Sequence, residues 1–416
     1  MDKNSNKTKI VVAMDSFKGS LTSLEAGNAV RDGILEKYPD LDVQIFPVAD
    51  GGEGTVEALT FGKEHVQTRT ISVTGPVGTE VSARYTIYGQ AGKKTAVLEM
   101  AQAAGLPLVP EERRNPMHTT TYGVGEMIRD AITCGCRRFI LGIGGSATND
   151  AGIGMLQALG YHFLDATGRE VGYGAEGLAQ VRSITTEDVM PELASCTFQI
   201  ACDVTNPLVG AQGCSAVFAP QKGADAKMVQ AMDAAMNRYA DIVEDMYQKN
   251  PALMENQLTG YDEAGKNVEK TDMQSHDKNR MTPGSGAAGG LGYACLRFLH
   301  AALKPGIDIV LDEIQIAQAI KTADAVITGE GRFDVQTLMG KTPIGVARIA
   351  KAYEVPVYAF AGCFGADVQV CIDSGVFAGC YAASTAGTEE EKRLAMEKRH
   401  AYANLRNCVK NNLTGL

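Results

Sequence analysis

The sequence predicts an α/β fold in which a discontinuous parallel-sheet domain, built from both ends of the chain, encloses an inserted domain of mixed α/β structure. Apolar strand candidates alternate with helix candidates over the first 60 residues, and this alternation returns after residue 325. Between these regions, from residue 68, apolar and polar residues alternate along the chain, which is typical of antiparallel hairpins. A chain of 416 residues is long enough for two hydrophobic cores. We therefore predict a discontinuous domain of residues 1–67 plus 291–416 around an inserted domain of residues 68–290.

The N-terminal region begins with two β–α units. We predict a strand at 10–14, a helix from a capping box at 22–25 to about residue 37, a strand at 43–48 and a short helix after residue 55. A polar loop follows each strand, at residues 15–20 and 50–55. Because ligands bind at the carboxyl ends of strands in an open parallel sheet, we expect both loops to face a site.

The middle of the chain contains the segment FILGIGGSATNDAGIGMLQAL, residues 139–159. A strand at 139–143 breaks into a glycine turn at 144–146, and a helix of small residues is predicted at about 151–159, with Gly152 and Gly154 in its first turn. Such a strand, turn and helix direct backbone N–H groups and the helix dipole at one point, which suits a phosphate. The alternative is a tight turn with close helix–sheet packing. The segment matches neither a Walker A loop nor the Gly-x-Gly-x-x-Gly dinucleotide fingerprint.

A second glycine run, residues 284–292, repeats this pattern before a helix predicted at 293–303. The polar segment before it, residues 250–283, has almost no apolar periodicity, and we expect a mobile loop there. The C-terminal region then continues with a strand at 325–328, a helix at 342–352 with Thr342 as N-cap, strands at 356–361 and 376–382, and a helix from 388 to about 411.

Composition excludes several classes of partner. The formal charge of −10, the pI near 5.2 and the absence of Trp argue against binding of nucleic acid or of an anionic membrane surface. No secretory signal and no membrane-spanning apolar run is visible. The ten cysteines include no Cys-x-x-Cys pair, so we expect reduced thiols and a cytoplasmic protein.

Six loops carry the polar residues that phosphoryl transfer requires, namely anion-binding glycine turns, carboxylates for Mg²⁺ and local cations. The candidates outside the two glycine runs are Asp15, Ser16, Lys18, Asp50, Glu53, Asp203, Asn206, Lys222, Glu330, Arg332 and Asp334. For each of them a structural role is the alternative: a surface lysine, a helix N-cap or a turn. The six histidines are scattered, so neither a zinc site nor a Ser-His-Asp triad is supported.

At these loops the chain resembles the glycerate kinase type-1 family, the bacterial kinases that phosphorylate D-glycerate with ATP. The matching segments are MDSFKGSL, PVADGGEGTVEAL, VTGPVG, LGIGGSATNDAGIGMLQALG, ACDVTNPLVG, PQKGA, GSGAAGGLG and VITGEGRFDVQTLMGKTPIGVA, spread over residues 14–347 in the family's order. The resemblance implies a discontinuous Rossmann-like domain with an inserted domain, use of ATP with Mg²⁺, and formation of 2-phosphoglycerate or, as in related kinases, 3-phosphoglycerate. The polar segment near residues 261–281 is longer than the family's usual connection.

We expect the site to lie in a cleft between the two domains. On physical grounds we assign each candidate a role there. Catalytic roles go to Asp203 as the first candidate for the base, with Asp15 and Lys18. The expected substrate-binding residues are Lys18, Ser16, Asp50, Glu53, Asn206, Lys222 and Arg332. The expected phosphate or nucleotide site consists of Gly144, Gly145, Ser146, Thr148, Asn149, Gly286, Gly289 and Gly290. The expected Mg²⁺ ligands are Glu330 and Asp334. Besides ATP, the expected partner is the small-molecule substrate D-glycerate, with no nucleic acid and no membrane; the sequence leaves the oligomeric state open.

Two other functions stay open from the sequence. A nicotinamide-dependent hydroxy-acid dehydrogenase would need a dinucleotide fingerprint and a catalytic histidine. A two-domain binding protein without catalysis would fit the architecture, but such a protein would normally carry a secretory signal.

Overall fold

The computed structural model describes residues 7–52, 54–250, 259–261, 267–269, 279–384, 388, 390 and 395–414. The chain divides into two compact units: the terminal unit, Met1–Gly62 with Pro305–Leu416, and the inserted unit, Lys63–Lys304. The corresponding boundaries predicted from the sequence lie at 67/68 and 290/291. The later second boundary has a physical reason, because the strand Ala302–Lys304 pairs in parallel with Thr197–Ala201 and so belongs to the inserted sheet.

The terminal unit is built on the predicted parallel sheet from both chain ends. Its five strands lie in the order Gly379–Ala382, Val357–Ala361, Ala325–Gly329, Lys9–Met14 and Asp42–Ile45, and all neighbours are parallel. The N-terminal strand lies beside Ala325–Gly329, so two segments about 315 residues apart share one core. The fold class is therefore confirmed in this unit.

Helices and short segments complete the terminal unit. The helices are Ser23–Lys37, Thr55–Thr60, Gly306–Glu313, Ile316–Ile320, Thr342–Ala352, Val368–Asp373 and Lys398–Asn412, and the short strands Arg332–Phe333 and Cys363–Phe364 pair in parallel. The predicted capping box is present: Thr22 Oγ1 accepts a hydrogen bond from the Glu25 amide (3.1 Å), and the Glu25 carboxylate accepts one from the Thr22 amide (2.8 Å).

The inserted unit contains a mixed sheet of six strands. Their order is Ala302–Lys304, Thr197–Ala201, Cys136–Gly142, Lys94–Glu99, Glu80–Tyr88 and Gln67–Thr74; the first four are parallel, and the last two add the predicted antiparallel hairpin. Two small antiparallel pairs lie outside this sheet, His162–Leu164 with Ser183–Thr185 and Thr259–Tyr261 with Asn267–Glu269.

The helices of the inserted unit cover a core of its own. They are Ala101–Ala104, Tyr122–Thr133, Ile153–Ala158, Gly174–Gln180, Cys214–Phe218, Ala226–Lys249 and Ala287–Phe298, with 3₁₀ turns at Leu106–Leu108, Glu111–Arg113, Pro191–Ser195 and Pro220–Lys222. Among the described residues, no helix combines the length and the apolar composition that crossing a lipid bilayer demands.

Several predicted elements differ from the structure. The helix predicted at 151–159 is Ile153–Ala158, because Gly152 has a φ of +75° and a Cβ there would overlap Ala294. The helix predicted at 293–303 is Ala287–Phe298, interrupted by positive φ at Ala288, Gly289 and Gly290. The last helix begins at Lys398; part of its predicted start, and most of the segment 250–283 expected to be mobile, lie outside the described residues.

Candidate functional site

The carboxyl ends of the strands in the terminal unit surround a cavity of about 570 Å³, which we call the acidic cavity. A hydrogen bond joins two adjacent strand ends at this cavity: the Asp15 amide donates to the Gly329 carbonyl (2.9 Å). Seven of the predicted site residues line it, namely Asp15, Ser16, Lys18, Asp50, Glu330, Arg332 and Asp334. Glu53, the remaining candidate from these loops, lies outside the described residues.

Asp15 is the most enclosed carboxylate of the acidic cavity, with 4% of its surface exposed. Its Oδ2 accepts a hydrogen bond from Thr342 Oγ1 (2.6 Å), and its Oδ1 accepts one from the Ser16 amide (2.6 Å). Burial raises the pKa of Asp15 to about 7; the Thr342 hydroxyl opposes this shift, and the nearby Asp50 and Glu330 carboxylates add to it. A carboxyl with a pKa near neutrality can accept a proton from a substrate hydroxyl.

Thr342 was predicted as the N-cap of its helix, and this prediction is wrong. The structure places Lys341 at the N-cap, and the Thr342 side chain, fully buried, donates to Asp15 instead. The Thr-Pro pair is a genuine signal for the start of a helix. It carries no information about a carboxylate 327 residues earlier in the chain, so the sequence could not reveal this partner.

Glu330 and Asp334, the predicted Mg²⁺ ligands, occupy one loop of the acidic cavity. Glu330 Oε1 accepts from Thr337 Oγ1 (2.6 Å), and Glu330 Oε2 lies 3.5 Å from Lys341 Nζ. Burial raises the pKa of Glu330, with Thr337 and Lys341 opposing the shift. Asp334 caps the 3₁₀ turn Val335–Met339, where its Oδ1 accepts from the Gln336 amide (3.0 Å).

This set of ligands suits a hard cation that keeps part of its water shell. Carboxylate oxygens are what Mg²⁺ prefers, and Mg²⁺ is usually bound through one or two carboxylates together with water and phosphate. Across the described part of the chain, no three His, Cys, Asp or Glu side chains converge as a complete metal site. Glu330 and Asp334 are the carboxylates that this loop could offer, and further ligands would come from water and substrate.

Lys18 and Ser16 are the cavity residues best placed for an anionic ligand. Lys18 is exposed, and among the described residues it has no ion-pair partner. Ser16 Oγ is buried and has no hydrogen-bond partner among the residues that the structure describes. An ammonium and a hydroxyl group that line the same cavity as Asp15 can hold a carboxylate and orient a hydroxyl group.

In the inserted unit, residues 144–148 form the predicted glycine loop. Gly144 and Gly145 are exposed, and a Cβ on Gly144 would meet open space. Beneath them Lys222, only 2% exposed, donates from Nζ to Ser146 Oγ (2.7 Å) and to the Thr148 carbonyl (2.6 Å). Burial lowers the pKa of Lys222 to about 8. Lys222 was predicted to bind substrate; its ammonium is instead enclosed and supports the glycine loop.

Thr148 and Asn149 lie inside the unit. Both side chains are fully buried; Asn149 Nδ2 donates to Ser215 Oγ (2.9 Å), and the next residue, Asp150, accepts from the Thr121 amide (2.8 Å) and hydroxyl (2.9 Å). Thr148 Oγ1 and Asn149 Oδ1 find no partner among the described residues. These side chains fix the path of the glycine loop from below and leave the backbone of Gly144 and Gly145 to face outward.

The structure brings the second glycine run against this loop. The Gly289 carbonyl accepts from the Ala151 amide (3.0 Å), and a Cβ on Gly289 would overlap the Thr148 carbonyl. Gly290 packs against Ala151, and Gly286 against the Pro207 carbonyl, in the same close way. These glycines are needed for close packing, which is the structural alternative that the sequence left open.

Asp203 and Asn206 follow the strand Thr197–Ala201 of the inserted unit. Asp203 is exposed, and Asn206 Nδ2 donates to the Gln212 carbonyl (2.8 Å). The Asn206 carbonyl accepts from the Gly286 amide (2.9 Å), which joins this turn to the second glycine run. The amide of Asn206 is therefore used in shaping the loop.

Comparisons with known proteins agree along nearly the whole chain. The sequence profile of the glycerate kinase family matches residues 10–414. The chain is 45% identical to the glycerate kinase of Haemophilus influenzae over 88% of its length and 89% of that protein, and 42% identical to the glycerate 2-kinase of Escherichia coli over 97% and 96%. A crystal structure of a protein described as glycerate kinase 2 from Salmonella typhimurium LT2 aligns with a TM-score of 0.79 at 40% identity, over 98% of this chain and 97% of that one.

Proposed function

Because the chain belongs to the glycerate kinase family, we propose that this kinase transfers a phosphoryl group from ATP to D-glycerate and forms 2-phosphoglycerate. The name of the Escherichia coli relative, glycerate 2-kinase, supports the position of transfer. 3-Phosphoglycerate is the alternative product. The observation that carries the proposal within the structure is the acidic cavity, which is lined both by a carboxyl with a pKa of about 7 and by a lysine that has no ion-pair partner among the described residues.

Asp15 is the side chain that we propose as the proton acceptor. A glycerate hydroxyl is a weak nucleophile at neutral pH, and a positioned base contributes about 10²–10⁴ to the rate. Asp15 is held by two hydrogen bonds, is enclosed and lines the cavity, whereas Asp203 is exposed in the inserted unit. Geometry therefore favours Asp15 over Asp203, which was our first candidate from the sequence.

The substrate carboxylate would bind Lys18. The chain as a whole carries a charge of −10, so binding of a small anion depends on a local cation. Lys18 lines the acidic cavity without an ion-pair partner among the described residues, whereas Arg332 lies 3.7 Å from Asp334. Ser16 and Asp50 would hydrogen-bond the hydroxyl groups of glycerate from the same loops.

The phosphate groups would bind the glycine loop through the exposed backbone of Gly144 and Gly145. Lys222 adds a buried positive charge below this backbone, which favours an anion above it. Glu330 and Asp334 would hold Mg²⁺, which neutralises phosphate charge during an in-line transfer.

All ten cysteines are free thiols, and we propose the cytoplasm as the compartment on this ground.

The experiment that tests this function identifies the product. Purified protein is incubated with ATP, MgCl₂ and D-glycerate; we expect ADP release that depends on glycerate and is lost when EDTA removes the metal. The product should be converted to phosphoenolpyruvate by enolase, which accepts 2-phosphoglycerate and not 3-phosphoglycerate. ADP release without glycerate, or reduction of NAD⁺ by glycerate, would contradict the proposal.

A further inference from the structure

The inserted unit contains a second cavity, of about 430 Å³, which we call the basic cavity. The proposed function leaves it without a role, and none of its residues was among the candidates selected from the sequence. The polar residues that line it are Glu112, Arg113, Arg114, Asn115, His118 and Thr119. Three of these six side chains carry or can acquire a positive charge, in a chain whose overall charge is −10.

The backbone of the basic cavity is held firmly in place. A 3₁₀ turn, Glu111–Arg113, begins the segment, and Asn115 Oδ1 then accepts from the Met117 amide (3.0 Å). Two glycines of neighbouring segments pack directly on this backbone: a Cβ on Gly223 would overlap the Arg114 carbonyl, and one on Gly174 would overlap the Met117 carbonyl. A rigid backbone positions the arginine side chains for a ligand at little cost in entropy.

The charges of Arg113 and Arg114 are not paired with any acidic side chain among the described residues. Within the described ranges neither Arg113 nor Arg114 forms an ion pair, and Arg114 Nε is buried without a hydrogen-bond partner. His118 does have an acidic neighbour, with Nδ1 lying 3.3 Å from Glu176 Oε2, and among the residues that the structure describes Glu112 is the one carboxylate that lines the cavity. Buried guanidinium N–H groups without a partner are costly, and an anion would satisfy them.

The basic cavity is joined to the glycine loop by direct hydrogen bonds. Thr119, which lines the cavity, donates from Oγ1 to the Ala147 carbonyl (2.9 Å). The segment that leads into the cavity donates from the Leu106 amide to the Gly145 carbonyl (2.9 Å). An oxyanion in the basic cavity would therefore lie beside the loop proposed to bind phosphate groups.

We propose that the basic cavity is a phosphate subsite of the inserted unit, in which Arg113 and Arg114 bind the oxygens of a phosphate group carried by ATP or by the phosphorylated product. The inference rests on the proposed function for the identity of these two ligands. Guanidinium groups bind phosphate through paired N–H donors in a fixed plane, which an ammonium group cannot do. The cavity is thus a specific site for tetrahedral oxyanions rather than a diffuse positive surface.

The test compares the full-length protein with the double variant Arg113→Gln/Arg114→Gln. A matched control is Arg129→Gln, an exposed arginine of the same unit without an ion pair among the described residues. Binding of ATP, 2-phosphoglycerate and inorganic phosphate is measured by calorimetry, and KM is measured for ATP and for D-glycerate. Should the double variant fail to fold, Arg113→Gln alone serves, because that side chain is exposed.

We expect the double variant to bind at least one phosphate ligand roughly 10- to 100-fold more weakly, with the glycerate KM changed less than about two-fold. A loss for ATP identifies the nucleotide as the source of the phosphate, and a loss for 2-phosphoglycerate alone identifies the product. Unchanged binding of all three ligands, a change in the glycerate KM alone, or an equal loss in Arg129→Gln would overturn the inference. Absence of glycerate kinase activity in the wild type would instead refute the proposed function, and the inorganic phosphate titration would still test the cavity.

Discussion

At the scale of single residues, burial decides which charged groups do chemistry and which support the loops. Asp15 and Lys222 are both nearly inaccessible, yet their environments differ. Asp15 lines a cavity and faces other carboxylates, so its proton is exchangeable with a ligand. Lys222 donates to Ser146 and to the Thr148 carbonyl, so its charge acts through the glycine loop that these residues belong to.

The pH dependence of kcat tests the role of Asp15. Burial raises the pKa of Asp15 to about 7, and only the deprotonated carboxylate can accept the hydroxyl proton. We therefore expect kcat to fall as pH decreases through about 7. Asp15→Asn should lower kcat by about 10²–10⁴ and remove this acidic limb, with a smaller effect on the glycerate KM.

A second variant separates this role from a structural one. Thr342→Val removes the hydrogen bond that favours the charged form of Asp15, so the acidic limb should move to higher pH while activity at high pH is largely retained. An unchanged pH profile in both variants would remove Asp15 from proton transfer.

The sequence could predict the positions of the residues that follow strands, because the end of an apolar run is a local signal. Asp15 and Glu330 were located in this way, and the structure brings both into the acidic cavity. The sequence could not predict the Thr342 contact or the burial of Lys222. Both depend on segments that meet only in the folded chain, and a lysine in a short Pro-Gln-Lys-Gly turn looks like a surface residue.

At the scale of elements, one small antiparallel strand pair, His162–Leu164 with Ser183–Thr185, contains an ion-paired histidine. His162, in the strand His162–Leu164, has Glu170 Oε2 at 2.9 Å from Nδ1 and Asp188 Oδ2 at 2.9 Å from Nε2. Hydrogen bonds to Asp188 and Glu170 raise the pKa of His162 above its usual value. The histidine therefore joins its strand to acidic residues on both of its sides while it is protonated.

This arrangement predicts a pH-dependent contribution to stability. A group whose folded-state pKa is raised stabilises the fold fully below its unfolded pKa, about 6.5 for His, and this contribution is lost as pH rises through the folded value. His162→Gln should thus lower Tm more at pH ~5.5 than at pH ~8.5. The exposed His400, which has no ion pair in the described ranges, gives the control variant His400→Gln; an equal effect of His162→Gln at both pH values would contradict the argument.

The periodic elements were predictable because their signals are local. The parallel strands and the capping box of Ser23–Lys37 follow from apolar runs and side chains three residues apart. The helix Ala287–Phe298 was misplaced, since its start depends on left-handed backbone at Gly289 and Gly290 that lets the run pack on the glycine loop. A glycine-rich sequence allows such close packing, but it does not specify which segments pack against each other in the folded chain.

At the scale of the whole molecule, the two units differ in which segments of the chain form them: one is discontinuous and the other is continuous. The terminal unit needs both chain ends, because the strand Lys9–Met14 lies between Asp42–Ile45 and Ala325–Gly329, and Lys37 Nζ donates to the Leu413 carbonyl (3.0 Å). The inserted unit is a continuous segment with its own core. The change of periodicity along the sequence predicts a second boundary at 290/291, whereas the compact units divide at 304/305, after the strand Ala302–Lys304.

This difference predicts which fragments fold. Residues 63–304 expressed alone should unfold cooperatively in urea, because the fragment keeps every strand of its six-stranded sheet. Residues 68–290, the domain predicted from the sequence, lack Ala302–Lys304 and most of the helix Ala287–Phe298, which buries Leu291, Tyr293 and Ala294. Loss of a large buried side chain such as Leu291 from the core costs about 2–5 kcal/mol, so the shorter fragment should be unfolded or aggregated. Circular dichroism and size-exclusion chromatography of both fragments make the comparison, and a stable, monomeric 68–290 fragment would contradict this prediction.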